Sequence, residues 1–174
     1  MIIKFKKTLL SNKIKTSSLL MLISLSTVLL AKDQGSSELY QGYWLTEDGE
    51  TIVNISSCNR NNLCGRVAGF NTNEKAETKA KITQEERQII KDLALICSTD
   101  LLGDLKEQST HWGNGWIMDF ETEKKYSLKL TIVKNVLKVR VYEGSESFGE
   151  NYLWKRAAPP NISCTDILNI ANVR

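Results

Sequence analysis

The sequence predicts an all-β, mainly antiparallel fold: an up-and-down barrel of about eight short strands with one inserted helix. Two observations carry this expectation. Short runs of apolar–polar alternation recur between residues 40 and 156, separated by turn-forming residues. The one long stretch with helical periodicity interrupts them in the middle of the chain. Because the strands follow one another as hairpins without long cross-connections, a closed meander is favoured over a two-sheet sandwich, since closure leaves no edge strand.

The chain opens on a different kind of segment. Lys4, Lys6, Lys7, Lys13 and Lys15 occur with no acidic residue among them, and an uncharged apolar run follows from Ser17 to Ala31. This is the order of a secretory signal peptide. The run is shorter than the roughly 20 apolar residues a membrane-spanning helix needs, so residues 1–31 are read as a cleaved leader and not as a stable membrane anchor. The leader carries five of the 23 basic residues and none of the 20 acidic ones, which leaves 18 against 20 and a net charge near −2. A nucleic-acid partner is therefore not expected, because the basic footprint such a partner requires is gone after cleavage.

The expected strands begin with Tyr40 to Thr46, closed by Glu47-Asp48-Gly49, whose Asp-Gly pair suits a tight hairpin. Thr51 to Ser57 is the second run. Leu63 to Phe70 is the third, with Leu63, Gly65 and Val67 on one face. Thr83, followed three residues later by Glu86, has capping-box spacing. Ile89, Ile90, Leu93, Ala94, Ile96 and Cys97 then recur at helical spacing, so a helix is expected to end near Ser98 and to cover an edge or a mouth of the barrel. A weaker run, Leu101 to Glu107, supplies an eighth strand. From Trp112 the pattern strengthens: Gly115 to Phe120, Lys125 to Val133, a tight turn at Asn135, Leu137 to Val141, and Glu150 to Arg156. Pro159-Pro160 stops the ladder. The domain is thus expected over residues 32–158, with 159–174 as a tail of weak helical pattern.

Four cysteines in an exported chain read as disulfides. Cys58 and Cys64 flank a short polar turn and form the geometrically cheapest of the three pairings, leaving Cys97 with Cys164. A zinc site would require more than the single histidine, His111, so neither metal nor cofactor is expected.

Gly42-Tyr43-Trp44 at the head of the first strand resembles the Gly-x-Trp signature of lipocalin-like barrels, and Arg156 of Trp154-Lys155-Arg156 is the basic residue such barrels stack on that Trp. The ordered set Gly42-x-Trp44, Cys58-x5-Cys64-Gly65-Arg66, Trp112-x-x-Gly115, Tyr126, Leu137-x-Val139-Arg140, Phe148-Gly149 and Trp154-x-Arg156 resembles a family of small exported bacterial proteins classed as a domain of unknown function. The resemblance covers most of the chain after the leader. It implies a lipocalin-like barrel in which Gly42, Trp44 and Arg156 are structural, and it names no ligand. The segment from Asn71 to Ser98 departs from the family's pattern.

Candidate chemistry is sparse. His111 has neither a Gly-x-Ser-x-Gly elbow nor a His-rich motif beside it and reads as a loop residue. Glu47 and Asp48 are adjacent carboxylates, but they stand where a hairpin turn is expected. Arg66 reads as outward and solvated, the alternative being an inward guanidinium that meets an anion. An enzyme is not expected. If the alternating apolar faces point inward, Trp116, Met118, Tyr126, Leu128, Leu130, Val139 and Val141 would line the barrel, whose interior is wide enough for packed side chains or one small ligand. The functional expectation is a periplasmic or secreted protein binding a small apolar molecule. The alternative is a cell-envelope or host-interaction scaffold that presents residues 71–100.

Overall fold

A computed structural model describes residues 36–71 and 83–172. The expected leader, residues 1–31, and most of the polar segment before the helix lie outside the described residues. Eight strands follow in chain order: β1 (Gly42–Leu45), β2 (Thr51–Ser57), β3 (Leu63–Phe70), β4 (Asp100–Glu107), β5 (Trp112–Asp119), β6 (Lys124–Val133), β7 (Val136–Tyr142) and β8 (Glu150–Arg156). Each pairs antiparallel with its neighbour in sequence, and β8 returns to β1 with Arg156 opposite Trp44. The sheet is therefore a closed up-and-down barrel, as its alternating runs predict. The weak run after Leu101 is a full strand.

The base of the barrel is closed by aromatic side chains. Trp44 is fully buried, and its indole Nε1 donates to the Tyr40 carbonyl oxygen at 2.8 Å. The Arg156 guanidinium lies 3.9 Å above the Trp44 ring and donates to the carbonyl oxygens of Leu39 and Gln41. A stack of this kind contributes about 0.5–2 kcal/mol, depending on how far the cation is desolvated. Gly42 makes it accessible: its φ of +106° lies in a region L side chains rarely adopt, and a Cβ there would stand 3.1 Å from Arg156 Nη1. Tyr40, expected at the start of the first strand, instead follows a 3-10 turn (Ser36–Leu39) and plugs the base, its ring 6.2 Å from that of Trp112.

Above this plug Val53, Leu63, Leu105, Leu128, Leu130 and Leu137 are fully buried and fill the lower barrel. Two bulges set which residues join them. In β5 the register shifts between Trp112 and Gly115, where Asn114 has φ +57°. In β4 Asp104 has φ +57°, and Leu102 and Leu105 both face inward around it. Each bulge inserts one residue and reverses the inside–outside alternation beyond it.

The helical elements gather at the other end of the barrel, beside β3. α1 (Gln84–Ser98) starts at a complete capping box: Glu86 N–H donates to the Thr83 hydroxyl at 3.2 Å, and Thr83 N–H donates to the Glu86 carboxylate at 2.7 Å. Its Leu93, Ala94, Ile96 and Cys97 pack with Ile167 and Leu168 of α2 (Cys164–Asn172). A short strand that the sequence pattern did not suggest, β9 (Ile162–Ser163), extends β3 at Gly69 and Phe70 and leads into α2. Disulfides join Cys58 to Cys64 and Cys97 to Cys164, the pairing favoured by the short-turn argument. Among the described residues no helix is long and apolar enough to cross a membrane.

The two disulfides close loops of very different length, with sequence separations of 6 and 67. Loop-closure entropy assigns roughly 2 kcal/mol to the short one and roughly 4 kcal/mol to the long one. Urea unfolding of a Cys97→Ser/Cys164→Ser variant is expected to show about twice the stability loss of a Cys58→Ser/Cys64→Ser variant. Equal losses would mean that the α1–α2 staple does not restrain the unfolded chain as its length requires.

Candidate functional site

The upper half of the barrel, opposite the Trp44 plug, is open. It holds a cavity of about 820 Å³ whose wall is drawn from four strands and three turns. The β1–β2 hairpin contributes Thr46, Glu47 and Asp48; the end of β5 contributes Ile117, Met118 and Asp119; β6 contributes Tyr126. β7 and the turn after it add Val139, Val141, Tyr142 and Glu143, while Phe148, Gly149, Glu150, Tyr152 and Trp154 come from β8 and the turn before it. Apolar and aromatic side chains form the depth, and carboxylates stand at the rim.

The alternation of the strands explains the depth. Ile117 is opposite both Tyr126 and Leu102; Val141 is opposite Leu128 and Glu150; Val139 is opposite Leu130 and Tyr152. Directly opposite residues share a face, so these residues all look into the barrel. Phe148 is 88 % exposed at the rim.

The inward set expected from the sequence is partly redistributed. Tyr126, Val139 and Val141 stand on the cavity wall, and Met118 borders it. Leu128 and Leu130 face inward opposite Val141 and Val139, but they are fully buried and not part of the cavity wall. Trp116 is on the outside: it pairs with Gly103 and Ser127, its Nε1 donates to Asp104 at 2.8 Å, and Lys125 Nζ stands 3.5 Å from its ring. The bulge at Asn114 is the reason, because Trp112 is inward and an unbroken alternation would have carried Trp116 and Met118 inward with it. The outer seat of Trp116 also requires Gly103, where a Cβ would lie 2.7 Å from the indole ring.

The remaining candidates separate. His111 lies in the β4–β5 hairpin, away from the cavity wall. Arg66 points outward and pairs with Asp100 at 2.5 Å. Glu47 and Asp48 do occupy a hairpin turn, and that turn is part of the rim. Burial works against the charge of Asp48, but the N–H groups of Glu50 and Thr51 and the Thr46 hydroxyl all donate to its Oδ1, which holds its carboxyl below the usual range. Asp119 is likewise held low, first by the Thr122 hydroxyl and then by the Glu121 N–H. Residues that alternation alone did not single out include Ile117, Glu143, Glu150, Tyr152 and Trp154. For Glu150, Tyr152 and Trp154 the signal was the pairing of β8 with β7, which places β8 on the same wall, whereas Ile117 is turned inward by the bulge at Asn114. No group of three or more His, Cys, Asp or Glu side chains among the described residues is arranged to hold a metal ion.

Residues 42–156 match the model of a bacterial family described as uncharacterized protein conserved in bacteria (DUF2147). Among solved structures, the chain is similar to protein HP1028 from the human pathogen Helicobacter pylori, described as belonging to the lipocalin family. The identity is 17 %, the alignment covers 68 % of this chain and 82 % of that one, and the TM-score is 0.48. None of the curated proteins matches the chain.

Tyr152 reports the electrostatics of the rim. Its hydroxyl donates to Glu150 at 2.8 Å, and this bond, followed by burial and by the charges of Glu150, Glu47 and Asp119, raises its pKa above the usual 10. In an alkaline absorbance titration, with Tyr152→Phe identifying the transition, Glu150→Gln is expected to move the Tyr152 ionisation to lower pH. A titration unaffected by Glu150→Gln would mean that the hydroxyl and the carboxylate are not coupled in solution.

Proposed function

This chain belongs to that bacterial family of uncharacterized proteins (DUF2147), and we propose that it is an exported carrier holding one small molecule in the open half of its barrel. The observation that carries this reading is the contrast between the two halves. The base is filled to zero exposure around Trp44, whereas the mouth keeps a cavity of about 820 Å³, within the few hundred to about 1,000 Å³ of ordinary ligand sites. Its wall is rigid, because closed β-pairing surrounds it, and a preformed pocket spares a ligand the cost of ordering its site. Catalysis is not part of the proposal: the one histidine lies in the β4–β5 hairpin, outside the cavity wall. Export is supported by the basic-then-apolar leader of the sequence and by two disulfides with no free cysteine among the described residues.

Native mass spectrometry of the protein purified from its own host, before and after organic extraction, tests the carrier. A reproducible excess mass that extraction removes is expected, and Val141→Trp, which projects an indole into the cavity, should lose that excess while melting within about 5 °C of the wild type. A wild-type protein with no excess mass would speak for a scaffold without a bound ligand.

Export has its own test. Fractionation of the host followed by N-terminal sequencing should find the chain outside the cytoplasm and starting at Lys32, with an intact mass lowered by four hydrogens for its two disulfides. Retention of the leader on a cytoplasmic protein would overturn it.

A further inference from the structure

Among the described residues the cavity wall contains five carboxylates, Glu47, Asp48, Asp119, Glu143 and Glu150, and no Lys or Arg. None of the five takes part in the ion pairs Arg66–Asp100 and Lys129–Glu146. Lys124 stands opposite Asp119 at the end of the β5–β6 hairpin but outside the wall. The basic side chains of β6 and β7, Lys129, Lys138 and Arg140, line a separate depression. Among the described residues the wall itself thus carries negative charge only, while Lys124 shares the face of Asp119 at the edge of the mouth. We infer that the ligand of this cavity is a cationic amphiphile: an amine or quaternary ammonium carried on an apolar body. The inference rests on the carrier reading and deepens it.

Three physical features agree on that class. Low-dielectric walls focus the field of like charges at a cleft, so the rim raises the local concentration of cations and repels anions. Within the wall, Tyr126, Tyr152 and Trp154 offer aromatic rings to a poorly hydrated cation. The carboxylates are distributed around the opening on three separate turns and are not converged on a point. A metal ion needs converging ligands, whereas an organic cation spreads its charge over a surface of matching size. The Tyr152 hydroxyl is raised first by its hydrogen bond to Glu150 and then by burial, and the charges of Glu150, Glu47 and Asp119 add to that rise.

The experiment is a titration of the leader-free protein with decyltrimethylammonium, decanol and decanoate, each below its aggregation limit, followed by tryptophan fluorescence and calorimetry. The three probes share one tail and differ in charge. We expect the cation to bind at least about tenfold more tightly than decanol and decanoate most weakly, with the gap narrowing at about 0.5 M salt. The triple variant Glu47→Gln, Glu143→Gln, Glu150→Gln should lose the preference for the cation and keep the affinity for decanol, which also shows that it is folded. Equal affinities for the three probes, all abolished by Val141→Trp, would overturn the charge inference and leave the carrier standing. A cation preference that survives in the triple variant would overturn it as well. Absence of binding by all three probes, or binding indifferent to Val141→Trp, would remove the carrier reading and this inference with it.

Discussion

The return of β8 to β1 is the constraint on which the rest of the barrel depends. Only two residue pairs make that seam, Trp44 with Arg156 and Leu45 with Lys155, so it carries few ladder hydrogen bonds. Side chains reinforce it. Arg156 lies over the Trp44 ring and holds the carbonyl oxygens of Leu39 and Gln41, which ties the entering chain, the first strand and the last strand together. With the seam held at the base, the opposite end of the barrel can remain open.

The open end is also where the chain departs from a plain meander. Between β3 and β4 it inserts α1, and after β8 it adds β9 and α2. These elements pack on one another beside β3 and are stapled by Cys97–Cys164. The cavity wall comes instead from β5 to β8 and the β1–β2 hairpin. Structure and cavity thus use different sectors of the same end: apolar helices on one side, an acid-rimmed cup on the other. A barrel can be divided in this way because its continuous pairing transmits support around the ring, so the cup does not need the helices at its own wall.

Charge follows the same division. Beyond residue 31 acids and bases are nearly balanced, 20 against 18, yet among the described residues five acids and no base stand on the cavity wall. Several of them are held by their own turns: Asp48 by Thr46, Glu50 and Thr51, and Asp119 by Glu121 and Thr122. Tight turns favour Asp for this local bonding, so the acids are partly a consequence of turn chemistry. Their collection at one mouth arises because alternate turns of an up-and-down barrel all lie at the same end.

The sequence by itself determined the strands, their order, the helix with its capping box and the closed meander, because period-two alternation, turn residues and Thr83 with Glu86 are local signals. The Gly42-x-Trp44 head and Arg156 were likewise legible, through their resemblance to the signature of lipocalin-like barrels. Which face of β5 looks inward was decided by tertiary structure. Trp116 and Met118 read as inward by simple alternation, and one extra residue at Asn114 reverses them. A bulge is stabilised by its partner strand and leaves little trace in its own composition. The depth of the cavity and the charge of its rim were also beyond the sequence. Leu128 and Val141 look alike as residues on one inward face, yet the first is sealed above the plug and the second stands on the wall. The two stand directly opposite each other in the β6–β7 pairing, so what separates them is which side chains of the other strands pack over each, and that is a property of the closed sheet.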